Sequence, residues 1–515
     1  MFWLNTISAA ACGALLSAAL PALHVYPLAL ALVPVFVFVA NSETSKQAFW
    51  YGFSFGFALF ALHLLWLPVS FADIFGAVFW IFYPLMLMIL GSFWGLVTMA
   101  SRLLGGRGNG ALSLLPVLWV LMEWARTQGY FAFPWGKLGY IWLGTPVAQV
   151  ADVIGVYGLS LLTTVIAALL ASLFIEPARS RGFAGRGLGR SSARMPRWQA
   201  LLAVLLLASA SVGYGLWRLG QDLPVADQQA LLVQGNTNPL EGTIGGDRSI
   251  ELYARLTRRA LEDSAIAPTL VVWPEGAVSG SNLEGFNGLA ERSAIQDSAG
   301  AATVIAGGSA DGAQGERFNS VYSLVSAQIM GRYDKHYLVP FGERWPFLYA
   351  LEPVYRMVFS WLNLPMLRGT SPGEAIVPIN TRNSRAGVYI CYESVFPQVA
   401  RTMVREGAEF LVNISNDAWF GRGRGAEQHF LMGSMRAIET RRFLLRVGND
   451  GITALVDPLG RIPEGQILPR RVQQTLVVNY GLSNVETFYV RFGHWLVWLL
   501  LLYTLLAVAW RTFTR

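Results

Sequence analysis

Three reactive side chains fall where short β-rich runs stop. Glu275 follows Thr269-Leu-Val-Val-Trp273, Lys335 follows Gln328–Tyr333, and Cys391 follows Ala386–Ile390. Alternating, β-branched runs read as strands, and strand ends of α/β sheets converge on one rim, so distant positions can share a cleft. A thiol is barely ionised at neutral pH and needs a neighbouring base. A partly buried glutamate can take its proton. A lysine ammonium favours the thiolate and can neutralise an oxyanion. The backbone N–H of Tyr392, just past the turn, is the natural second oxyanion donor. The chemistry this set suits is nucleophilic acyl transfer. Alone, Cys391 would read equally well as a small buried hydrophobe at a strand end. The only other cysteine, Cys12, lies in an apolar N-terminal segment and is not expected to pair with it.

The chain that must position these groups is apolar. Of its 515 residues 54% are hydrophobic and only 14% charged, against roughly 25% charged in soluble domains. That predicts a membrane protein with a sizeable polar part. The net charge of +7 is not gathered on an aromatic-interleaved face, which argues against nucleic acid as a partner. Much of it sits in short loops beside apolar segments.

Taking about 20 apolar residues per crossing, eight spans are expected, near Leu4–Leu23, Tyr26–Ala40, Ala48–Pro68, Ile74–Ala100, Ala111–Trp124, Val150–Phe174, Trp198–Trp217 and Phe492–Trp510. Met1-Phe-Trp-Leu-Asn5 lacks the basic start of a cleaved leader. The loops and tail on one side hold Lys46, Arg102, Arg107, Arg179, Arg181, Arg186, Arg190, Arg194, Arg197, Arg511 and Arg515; the short loops on the other hold Arg126 and Lys137. The positive-inside rule then puts both termini in the cytoplasm and the polar region outside. In a bacterium that is the periplasm, an oxidising space where a second exported cysteine would tend to pair.

Three regions result: transmembrane helices one to seven over 1–219, an outward catalytic domain over 220–487, and a last transmembrane helix with a cytoplasmic tail over 488–515. The stretch 177–197, rich in Gly, Arg and Ser, reads as a cytoplasmic linker. In the polar region, strands are expected at Ala230–Val233, Thr269–Trp273, Thr303–Ala306, Val321–Val325, Gln328–Tyr333, Ala386–Ile390, Phe410–Ile414, Phe443–Val447, Thr453–Val456 and Gln474–Val478. Helical patterns cover Arg248–Asp263, Asn287–Ser298, Ser394–Glu406 and Glu427–Thr440. Strands alternating with helices predict an α/β domain of stacked sheets.

The Glu275–Lys335–Cys391 set resembles the carbon–nitrogen hydrolase (nitrilase) superfamily. Pro340-Phe-Gly-Glu343, Cys391-Tyr-Glu393, Ser415-Asn-Asp-Ala-Trp-Phe420 and the early Phe133-Pro-Trp135, set among apolar helices, make the chain similar to its membrane-bound branch, the bacterial apolipoprotein N-acyltransferases. That resemblance implies an αββα sandwich in the inner membrane's outer face and a ping-pong reaction. Cys391 attacks an ester of a phospholipid, typically phosphatidylethanolamine. The resulting thioester is then taken by the N-terminal amine of a diacylglyceryl-cysteine apolipoprotein, with Glu275 as base in both halves. It implies no metal and no organic cofactor, and a chain working as a monomer. Glu343 and Glu393 match supporting positions and are expected to orient Lys335. The chain departs from the family after Val233-Gln-Gly-Asn236, at Gly276 and Ser279, and in Gly425-Ala-Glu-Gln-His429; this bears on substrate preference more than on reaction class. The alternatives are a membrane-tethered amidase or nitrilase that transfers to water on a periplasmic small molecule, and a non-enzymatic scaffold binding an acylated partner.

Further residues are weighed against plainer roles. Phe347–Leu367, apolar yet within the polar region and including Trp361, reads as core or as a mobile arm on the membrane beside the cleft. Trp135 reads as an interfacial aromatic or a substrate contact. Trp419 and Phe420 are expected to wall the pocket with Asn416, although Asn416 and Asp417 also suit a turn. Glu123 and Arg126 are spaced for an i,i+3 ion pair, and His63 for helix packing.

Overall fold

A computed structural model of the chain describes residues 1–76, 79–175, 196–237, 246–264, 267–278, 282–285, 288–345, 347–361 and 369–513. The 177–195 part of the expected linker, most of the segment after Asn236, Ser279 and the 362–367 end of the arm lie outside the described residues.

The N-terminal region is helical: α1 (Phe2–Ser17), α2 (Leu32–Asn41), α3 (Ser45–His63), α4 (Trp66–Phe75), α5 (Phe79–Gly105), α6 (Asn109–Ala125), α7 (Ala151–Ser172) and α8 (Arg197–Leu219). Three helical segments are long and apolar enough to cross a membrane: Phe79–Gly105, Pro146–Ser172 and Arg197–Leu219. The α3–α4 pair, bent by 49°, makes a fourth if it counts as one span. Four further apolar helices, Phe2–Ser17, Tyr26–Asn41, Asn109–Ala125 and Trp495–Ala509, have 10–17 residues. Among the described residues, length and apolarity thus single out three to four candidate crossings, not the eight expected. The reason is local: Tyr26–Ala31 is a 3₁₀ segment, and the third expected span bends at Leu64–Leu65 so that α4 sets off in a new direction.

The polar region is a sandwich. Its strands are β1 (Gln228–Gln234), β2 (Leu270–Val272), β3 (Thr303–Asp311), β4 (Arg317–Val325), β5 (Gln328–Asp334), β6 (Ile379–Asn380), β7 (Arg385–Ile390), β8 (Phe410–Ser415), β9 (Leu444–Gly448), β10 (Thr453–Val456), β11 (Ile467–Leu468) and β12 (Gln474–Tyr480). They form two six-stranded sheets, β12-β1-β2-β3-β4-β5 and β11-β10-β9-β8-β7-β6. β1, β2 and β3 run parallel, as do β7, β8 and β9. Because side chains alternate along a strand, Ala230 and Leu232 of β1 join Val388, Ile390, Val412 and Ile414 in the core between the sheets. Leu231 and Val233 face the other way, onto Ile250, Tyr253 and Ile295 of α9 (Gly246–Ser264) and α10 (Gly288–Ala299). α11 (Leu348–Trp361) lies between the two halves of the chain sequence that build these sheets.

The second sheet is covered by α12 (Pro397–Arg405) and α13 (Gly425–Thr440). Every residue from Met432 to Thr440 is buried, because α13 also packs on α7 and joins sandwich to membrane helices. α7 is interrupted at Gly155, whose φ of 63° suits glycine. A Cβ there would lie 2.6 Å from the Tyr489 ring of α14 (Phe488–Phe492). The backbone N–H of Val156, freed by the break, donates to Glu439 Oε1 of α13 at 2.9 Å. The chain ends in α15 (Trp495–Phe513).

Candidate active site

The carboxyl ends of the parallel strands point to one crevice. Glu275 follows β2, Cys391 follows β7, Asn416 follows β8 and Asn449 follows β9, while Lys335 leaves β5. Lys335 Nζ lies 2.9 Å from Glu343 Oε1 and 3.5 Å from Glu275 Oε1, with 1% of the side chain exposed. Glu275 is held on both oxygens. Asn319 Nδ2 donates to Oε1 at 2.8 Å, and the backbone N–H of Asn416 donates to Oε2 at 2.8 Å. The same Asn319 nitrogen donates to Glu343 Oε1 at 2.9 Å, so its two hydrogens tie together the two carboxylates that flank the ammonium.

Cys391 opens a 3₁₀ turn at φ 49°, left-handed backbone for a residue with a Cβ. Such strain of roughly 1–3 kcal/mol persists only where the surroundings over-determine it. They do. His429 Nε2 lies 3.0 Å from the Cys391 carbonyl and 2.9 Å from Ser394 Oγ. His429 Nδ1 faces Asp417 Oδ1 at 3.1 Å, and Arg446 Nη2 grips Asp417 Oδ2 at 2.6 Å. Two residues on, Glu393 accepts from Ile390 N–H at 2.8 Å on one oxygen. Its other oxygen takes Tyr333 O–H at 2.7 Å, His336 N–H at 2.8 Å and Tyr337 N–H at 3.1 Å.

Burial pushes the Cys391 thiol up to about 12; the Glu275 charge adds to this and the Lys335 ammonium opposes it. A thiol so raised rests neutral, and any attack through its sulfur would need a base to take the proton. For Lys335 burial disfavours the charge, but Glu343, Glu275 and Cys391 outweigh it and raise the ammonium above its ordinary value, so it stays charged. Burial alone would raise Asp417; Arg446 and His429 overcome that and hold it well below the usual carboxylate range. Burial also lowers His429 and raises Glu393.

The crevice wall is aromatic and comes from both halves of the protein. Trp135, 2% exposed, stacks on Tyr392 with centroids 5.9 Å apart. Phe420 meets Trp66 at 5.0 Å and His429 at 5.3 Å. Gln428 Oε1 accepts from both indoles, Trp66 Nε1 at 2.9 Å and Trp135 Nε1 at 3.1 Å, while its amide nitrogen donates to the His63 carbonyl at 2.9 Å. Tyr392 O–H reaches the Ala132 carbonyl at 2.7 Å.

The geometry brings Glu275, Lys335, Cys391, Glu343, Tyr392, Glu393, Asn416, Trp135 and Phe420 into one neighbourhood. It alters one expected relation. Glu343 touches Lys335, whereas Glu393 takes the Tyr333 hydroxyl before it and the His336 and Tyr337 N–H groups after it and, among the described residues, no polar atom of Lys335 itself. Trp419, 40% exposed, sits on the rim, and Trp361, 71% exposed, ends α11 and makes no hydrogen bond or ring contact with the crevice among the described residues. Glu123 and Arg126 do not pair among the described residues. Glu123 Oε1 instead takes the Trp119 indole and Leu138 N–H, and Arg126 donates to the Trp135 carbonyl. Sequence reasoning missed Asn319, Gln428, His429 and Arg446. A polar residue inside an apolar strand was the available signal for Asn319 and Arg446; the others had none, since their partners are remote in sequence.

Comparison with known proteins gives the following. Residues 12–169 match the family described as "Apolipoprotein N-acyltransferase N-terminal domain", and residues 247–487 match "Carbon-nitrogen hydrolase". An apolipoprotein N-acyltransferase of Geobacter metallireducens is 33% identical over 94% of this chain and 91% of its own length. One of Methylococcus capsulatus is 31% identical over 85% of this chain and 82% of its own. Among solved structures, a carbon–nitrogen hydrolase from Helicobacter pylori is 19% identical, covering 49% of this chain and 88% of its own, with TM-score 0.37. An amidase of the nitrilase superfamily from Nesterenkonia is 16% identical, covering 53% and 96%, with TM-score 0.38.

Proposed function

The chain belongs to the apolipoprotein N-acyltransferase family, and from that premise we propose how its crevice moves an acyl chain. The enzyme acylates the N-terminal amine of apolipoproteins, taking the acyl group from a membrane phospholipid, with phosphatidylethanolamine as the expected donor. Glu275 accepts the Cys391 proton as sulfur attacks the ester carbonyl. The oxyanion forms against the Lys335 ammonium and the Tyr392 N–H, both fixed in advance. Collapse breaks the ester C–O bond, Glu275 returns the proton to the leaving oxygen, and a lysophospholipid departs from the Cys391 thioester. In the second half the free α-amine of the diacylglyceryl-cysteine attacks the thioester carbon, Glu275 takes the ammonium proton, and the C–S bond breaks to restore the thiol. Glu343 and Asn319 keep ammonium and base apart yet adjacent.

The observation that carries this reading is the crevice itself: a buried thiol, a twice-anchored carboxylate and an ammonium beside aromatic walls lent by the membrane-side segments. Those walls favour an acyl chain and exclude water, so the amine wins over hydrolysis. We further infer that the four short apolar helices cross with the three long ones and the bent pair, giving eight crossings in the bacterial inner membrane. Regions 1–219 and 488–515 are then the membrane part, 220–487 is the periplasmic catalytic domain, both termini are cytoplasmic, and one chain suffices. Trp361 and the exposed face of α11 rest on the bilayer surface.

The test is acyl capture. Purified protein incubated with acyl-labelled phosphatidylethanolamine should gain one hydroxylamine-labile acyl mass on Cys391, and Cys391→Ala none. No labelled thioester, together with turnover of small amides, would replace the transferase with a hydrolase.

A further inference from the structure

The loop between Phe420 and α13 carries two arginines that the reaction above does not use. Arg422 and Arg424 are exposed and, among the described residues, have no ion pair or side-chain hydrogen bond. Their loop is pressed against α4. Ser70 Oγ donates to the Phe420 carbonyl at 2.5 Å, a Cβ on Gly421 would lie 3.0 Å from Ser70 Oγ, and one on Gly423 would lie 2.5 Å from Trp66 Cβ. Two more arginines stand behind the loop. Arg471 Nη2 donates to the Gly421 carbonyl at 2.6 Å, and Arg470 Nη2 donates to the Asp417 carbonyl at 3.2 Å. Among the described residues the acidic partner of this group is Asp450, 3.0 Å from Arg470 and 3.9 Å from Arg471, and Glu427 stands exposed in the first turn of α13 without an ion pair. Four guanidiniums against the carboxylates of Asp450 and Glu427 leave a positive rim, next to Asp417 and Phe420 of the crevice and on the short leg of the bent apolar pair.

We propose that Arg422 and Arg424 bind the phosphate of the donor lipid's headgroup, with Arg470 and Arg471 holding the loop that presents them. The proposal rests on the phospholipid-donor reading above and adds to it a headgroup site. The chemistry fits: a phosphodiester is a fixed anion, guanidinium forks match its oxygens, and a cation at the membrane surface is the place where a lipid phosphate lies while its ester reaches inward. Unpaired arginines on a rigidly backed loop lose nothing internal when they take such an anion.

The experiment measures Cys391 thioester formation by the full-length protein in mixed micelles at low ionic strength. The donors are phosphatidylglycerol, phosphatidylethanolamine and diacylglycerol with identical acyl chains. For the double variant Arg422→Gln with Arg424→Gln, KM for both phospholipids should rise about tenfold with kcat unaltered. Its preference for phospholipid over diacylglycerol should fall by the same factor. Arg422→Lys with Arg424→Lys should recover most of the loss, and added salt should weaken wild type toward the glutamine variant. Equal KM values in wild type and glutamine variant would overturn the headgroup site, as would a parallel loss with diacylglycerol. A wild-type protein that takes no acyl group from either phospholipid would overturn the donor reading and this site with it; acylating wild type with indifferent variants removes this site alone.

Discussion

Asn319→Leu is the perturbation that most directly probes how the crevice is organised. The asparagine amide nitrogen donates at 2.8 Å to Glu275 and at 2.9 Å to Glu343, and leucine keeps the branched heavy-atom skeleton while deleting both donated hydrogens. A hydrogen bond to a charged acceptor contributes about 1.5–3 kcal/mol. The Glu275 and Glu343 side chains are 12% and 19% exposed, so water can replace part of the loss and the low end applies to each, about 3 kcal/mol for the two. Without the bridge Lys335 is free to close on Glu275 and engage the base. With each 1.36 kcal/mol worth a factor of ten, kcat/KM for thioester formation should fall ~10²-fold. Stopped-time trapping of the acyl–enzyme with labelled phospholipid measures this, and thermal unfolding in the same detergent separates a rate effect from lost fold. A variant within threefold of wild type, with an unchanged melting point, would refute the bridging role.

Other expectations follow from the same geometry. Because burial drives the Cys391 thiol to about 12, its thiolate fraction, and so its iodoacetamide alkylation rate, should climb about tenfold per pH unit from 7 to 10. A plateau below pH 9 would contradict a neutral resting thiol. Glu275→Gln removes a charge that raises the thiol, so it should abolish acyl transfer yet speed alkylation in that same range; Lys335→Met should do the opposite to alkylation. Asp417→Asn leaves the Arg446 guanidinium buried beside His429 without its anion and should cost about 3–5 kcal/mol, read by denaturant unfolding. The sign in pH follows from its depressed folded-state value. The stability it supplies is complete above the ordinary carboxylate range and is lost as pH falls through its lower folded value, a loss the Asn variant should not show. Tyr333→Phe deletes the 2.7 Å bond to Glu393 and should cost about 1.5 kcal/mol, with no change in melting point as the contrary result.

Much of the sandwich was legible because its longer strands announce themselves by local alternation. The β1 run Ala230–Val233 emerges as Gln228–Gln234, and the β8 run Phe410–Ile414 gains only Ser415 at its end. The two-residue edge strands Ile379–Asn380 and Ile467–Leu468 have no periodicity to read. The clustering of Glu275, Lys335 and Cys391 followed from strand ends alone. The wiring between them did not. Glu393 looks from sequence like a second acid for Lys335, yet the turn after Cys391 aims it at three backbone N–H groups, a choice made by chain direction rather than residue type. In the membrane part hydropathy located apolar stretches but could not see the bend after His63, where an unbroken apolar run hides a change of direction. The α3–α4 corner is also what brings Trp66 and Ser70 to the crevice, so the least legible feature there is one the site depends on.

The break in α7 ties the biogenesis of the two halves together. Until Glu439 arrives, Val156 carries an amide proton with no acceptor in a segment meant for hydrocarbon, where an unmet donor costs several kcal/mol. The membrane helix is thus finished by a residue translated far downstream, and α13 in turn would expose its fully covered flank if made alone. Truncation after the seventh helix, or expression of the sandwich by itself, should yield polypeptides that quality-control proteases recognise as unfinished.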